Sequence, residues 1–188
     1  DRPIRRPLDD SVVQVVAGRQ STVRLARGLT PALLDLPPHL LKHQILAVGG
    51  HQKVAIAICN GSQAVLGPHC GDMETTASRR RFAEHIQDWL TLYRFTPQAI
   101  AHDLHDDYFT SRWAQQHAAS SNVPTVVVQH HHAHIVSGML ESGWLQEDVL
   151  GFAWDGTGMG SDGSLWGGEA MLASSTDFRR IASLRPFP

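Results

Sequence analysis

Two histidines and one aspartate have the residue types and the spacing of a metal site. His130 and His134 are four residues apart, directly after an apolar run typical of a strand. On a helix, residues four apart lie on one face about 6 Å from each other. Two imidazoles at that spacing suit a single divalent ion. Asp155 ends the next apolar run and adds a carboxylate, so we predict all three as metal ligands.

The histidine pair by itself leaves a second interpretation open. Polar residues at the N-terminus of a helix often do no more than cap and solvate it, and a short motif match is only a hypothesis. His131 and His132 point to other sides of the same turn and are not expected to share the ion. Two imidazoles and a carboxylate suit zinc and iron about equally, so the identity of the metal stays open.

A glycine-rich segment follows Asp155, with four glycines between residues 156 and 163. Glycine lets a backbone approach a phosphate closely, and its exposed N–H groups bind the phosphate oxygens. We therefore predict a turn in which Gly156, Thr157 and Gly158 contact a nucleotide, with Asp155 as a catalytic residue. A plain glycine-rich turn capped by the aspartate is the alternative.

A second candidate for phosphate binding lies earlier in the chain. Gly49 and Gly50 join two runs typical of strands, and Lys53 follows them. The glycine N–H groups and the Lys53 ammonium are suited to a nucleotide phosphate, and Lys53 is our second candidate catalytic residue. A hairpin turn without a ligand explains the two glycines at least as well.

Two further groups of polar residues end strand-like runs. His69 and Asp72 either line the same cleft or cap the helix that follows. His102, Asp103 and His105 stand where cleft residues of open α/β sheets collect. We favour a loop that positions the next helix over a metal cluster at this second group.

The alternation of apolar runs predicts an α/β fold that places these residues. The predicted strands are 11–16, 21–26, 45–50, 53–59, 63–66, 99–103, 125–129, 149–154, 165–174 and 180–184, and the predicted helices are 76–93, 108–119 and 131–142. Gly143 closes the last helix, and 60–61 is a hairpin signal. The proline-containing stretch after residue 30 indicates a linker. The run 125–129 is nearly all apolar, as in a sheet buried on both faces.

Composition excludes several classes of protein. The chain has 188 residues with 42% hydrophobic and 18% charged side chains, which is ordinary for a globular protein. A formal net charge of -2 with scattered basic residues does not support nucleic acid as a partner. No apolar stretch approaches the roughly 20 residues that span a bilayer, and two cysteines make no disulfide framework. We expect a cytoplasmic protein with no membrane partner.

Eight short blocks, spread over nearly the whole chain, stand in the order in which one protein family has them. They are 9–13, 26–28, 49–53, 69–72, 101–105, 128–134, 155–158 and 165–169. The triple-histidine block at 128–134 and the Leu-Trp-Gly-Gly-Glu block at 165–169 are the specific ones. Together the blocks resemble the HypF family, the carbamoyltransferases of hydrogenase maturation. Two departures stand at His51 and Val54, where that family usually has Glu and Asn.

The resemblance implies an actin-like, ribonuclease H-like fold with a mixed sheet and helices. It implies that residues 1–30 are the tail of a YrdC-like domain, preceding a linker at 31–42. Residues 43–146 then form a complete first lobe, and 147–188 begin a truncated second lobe. Because actin-like folds hold the nucleotide between two lobes, the chain alone is expected to be an incomplete enzyme.

The resemblance also implies a reaction. In that family, carbamoyl moves from carbamoyl-adenylate, made from carbamoyl phosphate and ATP, to the C-terminal cysteine of the acceptor protein HypE. The product leads to the cyanide ligands of nickel–iron hydrogenases. The family's metal ligands correspond to His130, His134 and Asp155 here.

Four other functions stay open at this point. Two use the same fold: a carbamoyltransferase for small-molecule hydroxyls and a threonylcarbamoyl transferase for tRNA. A metal-dependent hydrolase is the third, although no Glu stands beside His130 as a general base. A non-catalytic metal-binding remnant is the fourth, because the residues at His51 and Val54 depart from the family pattern.

Overall fold

A computed structural model describes residues 2–37, 43–60 and 63–185. The strands are β1 (Val12–Val16), β2 (Arg19–Arg24), β3 (Ala32–Asp35), β4 (Gln44–Ala47), β5 (Val54–Asn60), β6 (Gln63–Gly71), β7 (Ala99–Asp103), β8 (Thr125–Val128), β9 (Val149–Met159), β10 (Leu165–Ala173) and β11 (Phe178–Ser183). The helices are α1 (Thr76–Leu92), α2 (Phe109–Ser121) and α3 (His130–Ser142). None of the helices in the described ranges is both long and apolar enough to cross a membrane.

The largest sheet has six strands in the order β3-β6-β5-β4-β7-β8. Strands β3, β6, β5 and β4 pair antiparallel, whereas β4 and β7 pair parallel. The parallel pair is possible because α1 lies between β5–β6 and β7 in the sequence and returns the chain to the same end of the sheet. The result is the α/β fold that the alternating apolar runs predict, with the mixed sheet that the family resemblance implies.

The core of this part of the chain forms where α1 and α2 meet the sheet. Helix α1 begins at Thr75, whose side chain accepts a hydrogen bond from the Ser78 N–H. Phe82 on α1 is fully buried and meets Phe109 and Trp113 edge to face, with ring centroids 5.9 and 5.5 Å away. Such contacts add to the free energy gained from burial.

His85 is a buried ionisable residue on α1. Its Nδ1 lies 3.3 Å from the Cys70 Sγ, and burial lowers the pKa of His85 below its ordinary value. The lowered pKa means that the unfolded chain takes up this proton more readily than the folded one. Above about pH 6.5 His85 is neutral in both states and protonation costs the folded protein no stability. As the pH falls from there through the folded pKa, protonation of the unfolded chain lowers the free energy of unfolding.

We predict that His85→Leu makes the free energy of unfolding less dependent on pH in that window. Urea unfolding at several pH values between neutral and mildly acidic measures the slope. His43 is exposed, so His43→Leu is the matched control and should keep the wild-type slope. Identical slopes for His85→Leu and the wild type would contradict the prediction.

A second compact unit combines Asp103–Asp107 with the chain from Val127 onward, whereas Tyr108–Val126 belongs to the first unit. It contains α3 and an antiparallel sheet in the order β11-β10-β9. Helix α3 packs closely on β9 at Gly151, where a Cβ atom would lie 2.6 Å from the Ile135 side chain. The helix ends at Gly143 in the left-handed conformation, as predicted.

The structure corrects the linker predicted at 31–42. Residues Ala32–Asp35 form β3, which pairs with β6 from Ala32↔Leu66 to Asp35↔Gln63. Flanking prolines indicated irregular chain, but pairing with an existing strand outweighs such local signals. Residues 38–42 of the predicted linker lie outside the described residues, as does Gly61 of the predicted hairpin turn.

The strand predicted at 125–129 is not buried on both faces. Strand β8 stands at the edge of the six-stranded sheet, and Val126 and Val127 are 44% and 53% exposed. An apolar run marks a strand, but the run itself does not reveal whether the strand is central or at an edge.

Strand β6 continues beyond its predicted end at residue 66. Register runs from Ala57↔Leu66 to Ala55↔His69, so that Gly67 and Pro68 together face a single residue of β5. This bulge accommodates Pro68, since proline inside a sheet is tolerated at bulges.

Candidate metal centre

Helix α3 places His130 and His134 on one face. Gln129 precedes the helix, and its side-chain oxygen accepts a hydrogen bond from the His132 N–H at 2.8 Å. With the start of the helix fixed, the imidazole centroids of His130 and His134 lie 4.9 Å apart. Their Nε2 atoms are 3.2 Å apart, so both nitrogens face one point.

Asp155 reaches the same point through an irregularity in β9. Trp154 pairs with Gly168 and Gly158 pairs with Trp166, so three residues of β9 stand opposite Gly167 alone. Bulges of this kind redirect side chains and are common beside active sites. The Asp155 Oδ1 accepts a hydrogen bond from the Gly156 N–H at 2.6 Å, and this contact directs Oδ2 toward the histidines.

The three ligand atoms have the spacing that a divalent ion requires. Asp155 Oδ2 lies 2.9 Å from His130 Nε2 and 3.7 Å from His134 Nε2, and all three atoms lie within 4.8 Å of one another. Ligand atoms around a tetrahedral zinc are about 3.3 Å apart, given bonds of about 2.0 Å. The donor set leaves a coordination position for a further ligand.

The environment of Asp155 Oδ2 also fits an ion. This oxygen is shielded from solvent and has no hydrogen-bond partner among the described residues. Its contact with His130 Nε2 is an ion pair at 2.9 Å. A buried carboxylate oxygen normally has a partner, and an ion between the three atoms would provide one. The residues present fit a metal, and its binding remains a prediction.

Asp103, at the end of β7, contacts the other nitrogen of His130. Its Oδ2 lies 2.6 Å from His130 Nδ1. This hydrogen bond is the main cause that raises the pKa of His130 above its ordinary value, against the opposing effect of burial. The pKa of His134 is lowered, first by burial and then by the positive charge of His130.

The other two histidines of the block point away from this site, as the helix geometry predicts. His131 is completely buried, and its Nδ1 lies 3.2 Å from the Gln129 side-chain amide. Burial lowers the pKa of His131. The His132 Nε2 lies 2.9 Å from the Ser174 carbonyl, to which it donates. Both rings therefore support α3 and its packing.

The predicted glycine-rich turn begins later than expected. Gly156, Thr157 and Gly158 all belong to β9, and the turn itself falls between Gly160 and Ser164, whose N–H and carbonyl groups are 2.8 Å apart. Glycine is needed at 158 for a packing reason. A Cβ atom there would lie 2.7 Å from the His131 ring and 3.1 Å from the His130 ring.

The remaining glycine-rich positions are more accessible. Gly156 and Thr157 are exposed, and a Cβ atom at Gly156 would meet nothing within 4 Å. Their contact with a nucleotide remains a prediction. Gly158, in contrast, is buried against the histidine rings, so it lets these side chains approach β9.

Gly49, Gly50 and Lys53 lie in the first compact unit, between β4 and β5. Gly49 has a φ of 72°, which glycine adopts without strain. The Asp72 carboxylate accepts a hydrogen bond from the Lys53 N–H at 2.7 Å, so Asp72 closes this turn. The Gly50 carbonyl accepts a hydrogen bond from the Thr110 hydroxyl at 2.6 Å.

The Lys53 side chain borders a cavity of about 510 Å³ in the same unit. Arg24 and His69 also line this cavity, and Asp72 contributes a carboxylate. Three groups that carry or can acquire positive charge make the cavity suitable for an anion. A nucleotide contact of Gly49, Gly50 and Lys53 remains a prediction.

The family comparisons identify the class to which this α/β fold and this arrangement of histidines and carboxylates belong. Residues 41–141 match the family model described as "HypF Kae1-like domain". Residues 151–188 match "Carbamoyltransferase, Kae1-like Domain, second subdomain". The chain therefore belongs to the HypF family, as its sequence blocks predict.

Individual relatives agree with this assignment. The chain is 46% identical over 187 residues to the carbamoyltransferase HypF of Synechocystis sp., and 40% identical over 191 residues to that of Rhodobacter capsulatus. All of this chain is covered in both cases, but only 24% and 26% of those proteins. The chain thus spans about a quarter of the length of these relatives.

Solved structures confirm the fold. A crystal structure of full-length HypF in the phosphate- and nucleotide-bound form has a TM-score of 0.87 at 39% identity, covering 95% of this chain and 23% of that one. HypF of T. kodakarensis has a TM-score of 0.83 at 31% identity, covering 93% of this chain and 22% of that one. YeaZ from Pseudomonas aeruginosa, at 14% identity and a TM-score of 0.52, shares the fold alone.

Proposed function

We propose that this chain forms part of the active site of an ATP-dependent carbamoyltransferase of nickel–iron hydrogenase maturation. The reaction transfers carbamoyl from carbamoyl-adenylate, made from carbamoyl phosphate and ATP, to the C-terminal cysteine of a HypE-like acceptor. The deprotonated acceptor sulfur forms a bond to the carbamoyl carbon, the bond from that carbon to the phosphate oxygen breaks, and AMP leaves with its electron pair. The observation that carries the proposal is the convergence of His130, His134 and Asp155 in a member of the HypF family.

The protein groups divide the work as follows. Nε2 of His130, Nε2 of His134 and Oδ2 of Asp155 would hold a zinc or iron ion, which supplies Lewis-acid polarisation of a bound oxygen. Gly156 and Thr157 are exposed and would approach the phosphate of the adenylate, for which the Gly156 N–H would exchange its present acceptor, Asp155 Oδ1. A relative whose structure is nucleotide-bound supports the use of a nucleotide.

Lys53 would neutralise a phosphate bound in the first unit. Gly49 and Gly50 would shape the turn that carries Lys53. His51, one of the two departures from the family pattern, has a structural role in this turn. Its ring stacks on Tyr108 with centroids 5.2 Å apart, and its Nδ1 accepts a hydrogen bond from the backbone at the start of α2. These two contacts attach His51 to Tyr108 and to the start of α2, at the position where the family usually has Glu.

We also propose the domain division and the location. Residues 1–30 would be the tail of a YrdC-like domain, 43–146 the first lobe and 147–188 the start of the second. Family models that match up to 141 and again from 151 support a boundary near 146. Cys59 and Cys70 are both free, as is usual in the reducing cytoplasm.

We predict that Asp155→Ala in the complete gene product carrying these residues lowers carbamoyl transfer by at least about 100-fold. Purified protein is incubated with carbamoyl phosphate, ATP and a HypE-like acceptor, and the mass of the acceptor's C-terminal peptide reports the transfer. Asp148 is exposed in the same unit, so Asp148→Ala is the control and should retain activity.

Three outcomes separate the candidate functions. A carbamoylated acceptor cysteine supports the proposal. Carbamoylation of a small hydroxyl compound but not of the protein would favour an O-carbamoyltransferase. Full transfer by Asp155→Ala, or no transfer by wild type with release of AMP undetectable, would overturn the proposed role.

A further inference from the structure

Asp103 holds a buried carboxylate, and each of its two oxygens contacts a neighbouring residue. It ends β7 and is 8% exposed. Its Oδ1 accepts a hydrogen bond from the His105 N–H at 2.9 Å, while Oδ2 lies 2.6 Å from His130 Nδ1. Because a backbone N–H occupies one oxygen, the carboxylate cannot rotate freely, and the other oxygen stays directed at the imidazole.

We propose that Asp103 is the positioning residue that sets the orientation and the tautomer of His130. A carboxylate at Nδ1 keeps a proton on that nitrogen. Nε2 is then the nitrogen with a lone pair available, and it faces Asp155 Oδ2 at 2.9 Å and His134 Nε2 at 3.2 Å. Carboxylates that support metal-bound histidines act in this way, fixing the ring and raising its basicity.

The position of Asp103 gives the segment 103–107 a role at the centre. This segment belongs to the same compact unit as His130 and Asp155, although the intervening Tyr108–Val126 does not. The Leu104 N–H donates to the Val128 carbonyl at 2.9 Å, which ties the segment to the strand that leads into α3. Asp103 is therefore held beside His130 by backbone contacts as well as by its own side chain.

Two substitutions distinguish tautomer control from simple packing. Asp103→Ala removes the acceptor. Asp103→Asn keeps the shape, but its single oxygen serves only one of the two donors. If that oxygen stays on the His105 N–H, the amide NH₂ faces His130 Nδ1 and donates to it, which moves the ring proton to Nε2. An isosteric Asn should then harm metal binding as much as Ala does.

The inference rests on the proposed metal centre, and zinc affinity of the 188-residue chain tests both. Zinc is titrated against a chromophoric chelator, and Asp103→Asn and Asp103→Ala should each bind about 10- to 100-fold more weakly than wild type. Asp106 is an exposed carboxylate of the same segment, so Asp106→Asn should change affinity by less than about fivefold. Two-bond ¹H–¹⁵N correlation spectra of the metal-free Asn variant should show the proton on Nε2 of His130.

The outcomes are separable. If wild type binds neither zinc nor ferrous iron, the metal centre is wrong and the inference falls with it. If wild type binds zinc and Asp103→Asn binds it equally well while Asp103→Ala is weakened, Asp103 acts only by packing and the inference alone is overturned. Weakening by both variants, with the Nε2–H tautomer in the Asn variant, supports it.

Discussion

Loss of either imidazole should abolish binding at the predicted metal centre: we expect His130→Ala and His134→Ala each to weaken zinc binding by more than about 100-fold. That loss exceeds what removal of a supporting contact costs, because each variant deletes one of three converging ligand atoms. Metal content after dialysis against a buffered zinc solution measures the effect. Circular dichroism of the metal-free variants shows whether α3 is retained.

His132→Ala is the matched control for this pair. It removes an imidazole from the same turn, but that ring lies against Phe178 and the Ser174 carbonyl. The variant should therefore keep its metal while losing some stability. Equal loss of zinc from His132→Ala and His130→Ala would show that the ligands are assigned incorrectly.

The largest effect on stability is expected at Phe82. Its side chain is completely buried among apolar and aromatic neighbours. Phe82→Ala therefore removes a ring and leaves a cavity, because the surrounding side chains can move only partly into the space. Changes of this kind cost about 3–5 kcal/mol in the free energy of unfolding. Urea unfolding followed by tryptophan fluorescence gives the value.

Leu92 provides the comparison on the same helix. It is 74% exposed, and Leu92→Ala should change the free energy of unfolding by less than about 0.5 kcal/mol. A Phe82→Ala variant as stable as Leu92→Ala would mean that α1 does not pack on the sheet as described.

The helices were predictable because each has a local signal. Helix α1 carries apolar residues at helical spacing and α3 ends at a glycine, and both signals depend only on neighbouring positions. Strand β3 and the exposure of β8 were not predictable in this way. Both depend on which strand lies alongside, and that information is distributed over distant parts of the chain.

In the candidate metal centre, too, only the contacts between residues close in sequence were predictable. His130 and His134 share one helical face, so their proximity follows from spacing alone. The contact between Asp103 and His130 joins residues 27 positions apart, and no periodic pattern connects them. The displaced turn after Asp155 was missed for another reason: glycine permits both a loop and a close approach of side chains, and only the histidine rings against Gly158 decide between them.

The compact unit that carries the candidate ligands is discontinuous in sequence, and this limits how the protein can be divided. A shorter polypeptide starting at residue 127 would retain His130, His134 and Asp155, yet it would lack Asp103. Such a piece would carry every atom of the candidate coordination sphere and still present His130 without its carboxylate. Grafting the histidine block and β9 onto another scaffold would meet the same obstacle, unless the five residues Asp103–Asp107 were transplanted as a separate segment.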